Sequence, residues 1–304
     1  MRIVTHAHAD HTIGLQQSLR TCRKVLMTEA TRDLVTVMMG PLFASARVST
    51  PDYGETVQLD EEETLTFYPA DHILGATQIL IEDAEGTRIA YTGDFKIENT
   101  PVLEADVLVM EATYGNPDCR RPFKEEIDKT LVSLVERGLR QGTVYIFGYH
   151  GKLQEVMQIL RQSNVRGPFV APERVYSVSK VCEKHGMQIG QLLLSDELRG
   201  KELLESNGSC VAFYHMNSSA KVGLDAFRIV VSGWEFSHPQ RQTGPKEYTI
   251  ALSDHSDYNE LIQYIRQSKP KQVITDSYRD GHAEALARQI RMQFAIPATA
   301  LPRS

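Results

Sequence analysis

Up to Gly115, short apolar runs at 3–4, 65–68, 88–92 and 107–110 alternate with stretches of helical spacing at 12–19 and 29–38. Apolar runs of that length predict strands and the longer stretches predict helices, so this part of the chain reads as layers of sheet and helix. Residues 116–121 are turn-rich and mark a boundary. Beyond it, Phe123, Ile127, Leu131, Leu134 and Val135 fall on one helical face, and that amphipathic helix is predicted to stop near Gly138. A strand at 143–147 runs into Gly148-Tyr149-His150-Gly151 and a helix that ends near residue 162. Strands follow at 169–171, 209–215 and 227–232, with a helix around 177–185. The polar run 237–246 reads as a loop, and a strand at 248–252 returns to the first part. A helix at 259–267, a strand at 272–275 and a helix at 283–292 complete the pattern. There is no internal repeat, low-complexity segment or added nucleic-acid-binding module in it.

Composition narrows the class. The chain has 304 residues, 41% of them hydrophobic, enough to bury a large core and near the size at which one core divides into two. No apolar stretch is long enough to span a bilayer, and no leader pattern opens the chain, so a soluble cytoplasmic protein without membrane partners is expected. Cys22, Cys119, Cys182 and Cys210 are scattered, which suggests neither a disulfide framework nor a cysteine zinc knuckle. A net charge of −6 argues against a broad basic footprint on nucleic acid. Part of the acidity is local, as in Asp60-Glu61-Glu62-Glu63, which reads as a hairpin-like turn.

The chemistry concentrates in Thr5-His6-Ala7-His8-Ala9-Asp10-His11, where four metal-ligand side chains fall within six residues. In an extended segment His6 and His8 project from the same side, and Asp10 and His11 follow at the turn. One pair can then serve one metal and the second pair another. Imidazole with carboxylate suits Zn²⁺ or another divalent first-row ion, and paired ions activate water against phosphoesters. Further ligand types recur at strand ends downstream. His72 stands in Asp71-His72-Ile73-Leu74-Gly75-Ala76, whose glycine permits close backbone approach. Asp94 follows the 88–92 strand, and a carboxylate there can bridge two metals.

The series His6-Ala7-His8-Ala9-Asp10-His11, His72, Asp94 resembles the metallo-β-lactamase superfamily. Glu111 after its strand, Ser253-Asp254-His255-Ser256-Asp257 and Gly281-His282-Ala283-Glu284 resemble the added motifs of its β-CASP nucleases. Those enzymes include the nuclease of eukaryotic mRNA 3′-end cleavage, ribonuclease J, DNA-repair exonucleases and archaeal mRNA 3′-end processing factors. The resemblance extends over almost the whole chain and implies an α/β (α+β) fold. The expected architecture is a metallo-β-lactamase αβ/βα four-layer sandwich from 1–115 and 247–304, with a β-CASP domain inserted at 116–246 and the site in the cleft between them.

Carried over, the resemblance implies two Zn²⁺ ions: His6, His8 and His72 on one, Asp10, His11 and His282 on the other, and Asp94 bridging. A hydroxide between the metals would attack phosphorus. Asp10, Glu111 and His255 are the expected catalytic residues, with His255 as general acid and Glu111 orienting it. Glu111 in an ordinary salt bridge and His255 as a helix cap are the structural alternatives. Lys152, at a helix start that follows the glycine loop, and Ser232 are the candidate substrate contacts. Trp234 is expected in the core rather than stacked on a base.

The expected activity is hydrolysis of nucleic-acid phosphodiesters, with RNA favoured over DNA because His282 matches the RNA-processing branch. The alternatives are a single-stranded DNA exonuclease of the ligase-associated type and a catalytically reduced RNA-processing subunit. Relatives carry further strands before the first motif, whereas Met1 here stands five residues from His6. An open edge at 3–4 would then invite pairing with another segment or subunit, as in a homodimer.

Overall fold

The computed structural model describes residues 1–40, 47–59 and 62–302 of the chain. Asp60 and Glu61 of the expected acidic turn lie outside the described residues. The chain divides into two compact units, one of residues 1–120 with 254–304 and one of residues 121–253.

The first unit opens with β1 (Arg2–Ile3), α1 (Leu15–Thr21), β2 (Val25–Leu26), α2 (Glu29–Met39) and β3 (Val48–Ser49). The three strands form a parallel sheet in the order β1-β2-β3. Parallel neighbours need crossovers, and α1 and the segment containing α2 provide them. The meander β4 (Thr56–Gln58), β5 (Thr64–Pro69), β6 (Thr77–Glu82) and β7 (Arg88–Tyr91) then leads to β8 (Val107–Met110).

The second unit runs α3 (Lys124–Leu139), β9 (Val144–Gly148), α4 (Lys152–Gln162), β10 (Phe169–Ala171), α5 (Glu173–Lys184) and β11 (Leu192–Leu194). It continues α6 (Leu198–Glu205), β12 (Val211–His215), β13 (Phe227–Val231), β14 (Gln240–Gln242) and β15 (Glu247–Ile250). The chain re-enters the first unit with α7 (Tyr258–Ser268), β16 (Gln272–Asp276), α8 (Ala283–Phe294) and β17 (Ala298–Leu301).

Strands β4 to β8, β16 and β17 make one seven-stranded sheet, ordered β17-β16-β8-β7-β6-β5-β4. Its two faces follow from side-chain alternation. Leu80, Ala90 and Leu108, aligned across β6, β7 and β8, face a core shared with Tyr264, Ile265, Leu286 and Ile290 of α7 and α8. Leu65, Phe67 and Ile79 face the other way and bury Leu26 of the small sheet. Helices, large sheet, small sheet and crossover helices therefore form four layers.

The second unit is a seven-stranded sheet ordered β11-β10-β12-β9-β13-β15-β14, parallel except at β14. Two readings of the sequence are corrected here. The stretch expected to return to the first part instead pairs with β13 from Arg228↔Glu247 to Val231↔Ile250, because its backbone groups find their ladder there. The polar run read as a loop contains β14, an antiparallel edge strand. Gln-Arg-Gln shows no apolar alternation because an edge needs none. Trp234 is also corrected: it is 55% exposed, edge-on to Phe236 at 6.4 Å.

Candidate metal centre

The helix expected from residue 12 begins at Leu15, and the preceding residues serve the site instead. Thr12 Oγ1 donates to the carbonyls of His8 and Ala9, both at 3.1 Å, and the His11 amide returns to the His8 carbonyl at 3.1 Å. Residues 8–12 thus form a closed turn at the end of the first strand. Arg2 Nη2 donates to the His11 carbonyl at 2.9 Å and braces it.

Asp94 is the hub. Its Oδ2 lies 3.1 Å from His11 Nε2, 3.6 Å from His6 Nε2 and 3.7 Å from His72 Nε2. His6 is fully buried and His11 nearly so, yet the Nε2 of each has no hydrogen-bond partner. Two buried imidazole nitrogens facing one carboxylate oxygen are costly unless something fills the gap between them. A divalent cation fits that donor set, because it accepts from neutral imidazole and carboxylate together. Burial lowers the His6 pKa well below its ordinary value and that of His72 to about 3, so both rings are neutral and available as ligands. Burial pushes the Asp94 carboxyl up, but the closeness of the His11 and His6 rings outweighs it and holds Asp94 well below the usual range.

Hydrogen bonds orient the rings. His72 Nδ1 donates to the Asp254 carbonyl at 2.7 Å, leaving Nε2 for a ligand, 3.1 Å from His8 Nδ1. Thr5 Oγ1 lies 3.2 Å from His6 Nδ1 and 3.0 Å from His11 Nδ1. Its two lone pairs suffice to accept from both rings and turn both Nε2 atoms toward Asp94. Gly75 has φ +79, and its carbonyl accepts from Thr28 and Thr31 of the α2 start at 2.7 and 2.9 Å, fixing the turn that carries His72.

His255 stands beside this cluster, its ring 4.9 Å from that of His72. His255 Nδ1 lies 2.9 Å from Glu111 Oε2 and 3.1 Å from Oε1. The Phe95 amide donates to Glu111 Oε1 at 2.9 Å, which fixes the carboxylate. Burial lowers the His255 pKa, but the charge and hydrogen bond of Glu111 reverse that and raise it to about 10. The imidazolium is therefore the resting form near neutral pH. Asp257, not His255, caps α7, accepting from the Glu260 amide at 3.2 Å.

Among the described residues, ligand atoms of His6, His8, His72 and Asp94 lie within 4.8 Å of one another, as do those of His72, Asp254 and His255 and those of Asp94, Glu111 and His255. Asp10 is more peripheral, with Oδ2 3.5 Å from His11 Nε2. The His282 side chain is in none of these groupings. Its backbone amide donates to the Ala112 carbonyl at 2.7 Å, at the start of α8. Lys152 and Ser232 are in the second unit. Lys152 is buried in the first turn of α4, and Ser232 Oγ accepts from the Trp234 amide at 3.2 Å.

Sequence reasoning did not single out Thr5, the Asp254 carbonyl or Arg279. Arg279 Nε donates to Asp10 Oδ2 at 3.1 Å. The only sequence signals were adjacency, Thr5 next to His6 and Arg279 three residues before His282.

Residues 3–167 match the beta-lactamase superfamily domain, and residues 246–301 match the Zn-dependent metallo-hydrolase RNA specificity domain. An uncharacterised protein of the lig 3′ region of Acidianus ambivalens is 36% identical over 137 residues, 44% of this chain and 97% of that protein. A probable DNA ligase of Opitutus terrae is 26% identical over 95% of this chain and 27% of the ligase. Transcription termination factor FttA of Methanocaldococcus jannaschii is 28% identical over 88% of this chain and 56% of the factor. The chain thus spans only part of the length of these last two relatives. A protein of unknown function from Enterococcus faecalis shares the fold, with a TM-score of 0.65 at 13% identity over 99% of this chain and 79% of that one. With this metal-ready cluster and these matches, the chain belongs to the metallo-β-lactamase superfamily, in its β-CASP branch.

Proposed function

We propose that this chain hydrolyses phosphodiester bonds of single-stranded nucleic acid, RNA in preference to DNA, with two zinc ions at the histidine cluster. The observation that carries this reading is Asp94 Oδ2 facing three imidazole nitrogens, two of them buried and unpartnered. In it His6, His8 and His72 would hold one ion and Asp10, His11 and His282 the other, with Asp94 as a ligand common to both. Bound there, the metals supply Lewis acidity and lower the pKa of water toward neutrality. The protein's own part is proton delivery. With its Nδ1 proton held by Glu111, His255 presents the Nε2 proton to a leaving oxygen.

RNA is favoured by the match of residues 246–301 to an RNA specificity domain. Charge is consistent with a polyanionic substrate: the second unit has 17 Lys and Arg against 14 Asp and Glu, a net of +3 in a chain of −6. Cleavage of single-stranded DNA is the second reading, favoured by the similarity of 95% of this chain to part of a probable DNA ligase.

Elemental analysis of the purified chain, run beside cleavage of an end-labelled RNA and its matched single-stranded DNA, tests both. About two zinc per chain with faster RNA cleavage supports the proposal. Faster DNA cleavage transfers it to the second reading. Metal-poor protein, intact in fold and inert on both substrates, overturns it.

A further inference from the structure

We infer that Arg279 is a positioning residue for the second metal, tying the loop that carries His282 to the carboxylate of Asp10; this rests on the two-metal reading above. Strand β16 ends at Asp276, and Ser277 to Gly281 connect it to His282 at the start of α8. The far end of this loop is fixed by close packing. A Cβ on Gly281 would stand 2.6 Å from the Ala112 carbonyl oxygen, and the His282 amide bonds that same oxygen. The near end is fixed by Arg279. Its Nη1 donates to Asp276 Oδ2 at 2.5 Å and approaches the Tyr91 hydroxyl at 3.3 Å, while its Nε reaches Asp10 Oδ2.

A planar guanidinium can serve two carboxylates in fixed directions, which a single ammonium cannot. Arg279 thereby joins β16, β7 and the turn at residues 8–12. The oxygen it holds is the informative detail. Asp10 Oδ2 is also the oxygen 3.5 Å from His11 Nε2, one of the two buried nitrogens without a partner. The side chain of Asp10 is 49% exposed, so without a partner it would sample many rotamers. Ligating carboxylates are commonly oriented by such a partner, whose loss weakens metal binding. Charge does not oppose the arrangement, because one guanidinium between Asp10 and Asp276 leaves a net negative charge for a cation.

The test is zinc titration of the metal-stripped chain against a chromophoric chelator, with stoichiometry from elemental analysis. Arg279→Ala should leave the first zinc unchanged and weaken the second by about 10–100-fold. Arg279→Lys should recover part of that loss, and Asp276→Asn, which keeps an acceptor but removes the charge at the other end of the guanidinium, should produce a smaller loss. A parent that binds two ions beside an Arg279→Ala variant with an unchanged or tighter second site would overturn this inference and leave the two-metal reading standing. A parent that binds fewer than two would remove both. Comparison with the Lys and Asn variants separates the role from simple misfolding, since misfolding would weaken the first site as well.

Discussion

His255 and Glu111 stand 144 residues apart in the chain, yet His255 Nδ1 and Glu111 Oε2 are 2.9 Å apart. The contact joins the end of β8 to the loop before α7, and it fixes the charge of a partly buried imidazole. His255 has its pKa raised from 6.5 to about 10. The pair therefore contributes stability that is present in full below pH 6.5 and is lost as pH rises through about 10.

Glu111→Gln keeps an acceptor for the Phe95 amide but removes the charge that sustains the imidazolium. The alkaline limb of the kcat/KM profile should then move down by more than about one pH unit. An unmoved limb would exclude His255 as the proton donor. His255→Ala should slow turnover while zinc content stays at the parent value.

Asp94→Ala removes the oxygen on which three imidazoles converge. Zinc content and cleavage should fall together. Thermal melts give an independent check: added zinc should raise the melting temperature of the metal-stripped parent, by ligand linkage, and leave the variant unmoved. A variant that keeps both ions would show that Asp94 is no bridge.

Gly75→Ala tests the turn that carries His72. The backbone has φ +79, and a Cβ would stand 2.6 Å from the Thr31 amide nitrogen and 2.8 Å from Thr28 Oγ1. Denaturant unfolding should register a loss of about 1–3 kcal/mol, with weakened zinc binding. Parent-like stability and metal affinity together would contradict the fixed turn.

Trp234 is the only tryptophan and is exposed, so its emission reports on its surroundings directly. Stacked bases should quench it, and an oligoadenylate should therefore quench the emission of metal-free protein, with an abasic oligomer of equal charge much weaker. Equal effects would mean that phosphate charge alone governs binding at that surface.

Much of this was legible along the chain because the relevant signals are local. His6, His8, Asp10 and His11 fall within six residues, His72 and Asp94 follow strands, and period-two alternation separates Leu65 and Phe67 from Leu80 and Leu108 onto opposite faces of one sheet. Helices α2, α3 and α7 declared themselves by apolar spacing. Elements without such a pattern did not: β14 is a polar edge, and β15 looks the same in sequence whichever sheet receives it. Strand pairing is a long-range choice, and only the ladder with β13 decided it.

The site divides along the same line. Sequence determined which residue types were available to hold metal and move protons. The tertiary structure decided that Thr5 stands between two imidazoles, that the Asp254 carbonyl fixes the tautomer of His72, and that Arg279 joins Asp10 to Asp276. A threonine, a backbone carbonyl and an arginine carry no distinguishing mark in a sequence. Their roles arise from hydrogen-bond direction and from burial, which exist only once distant segments have packed together.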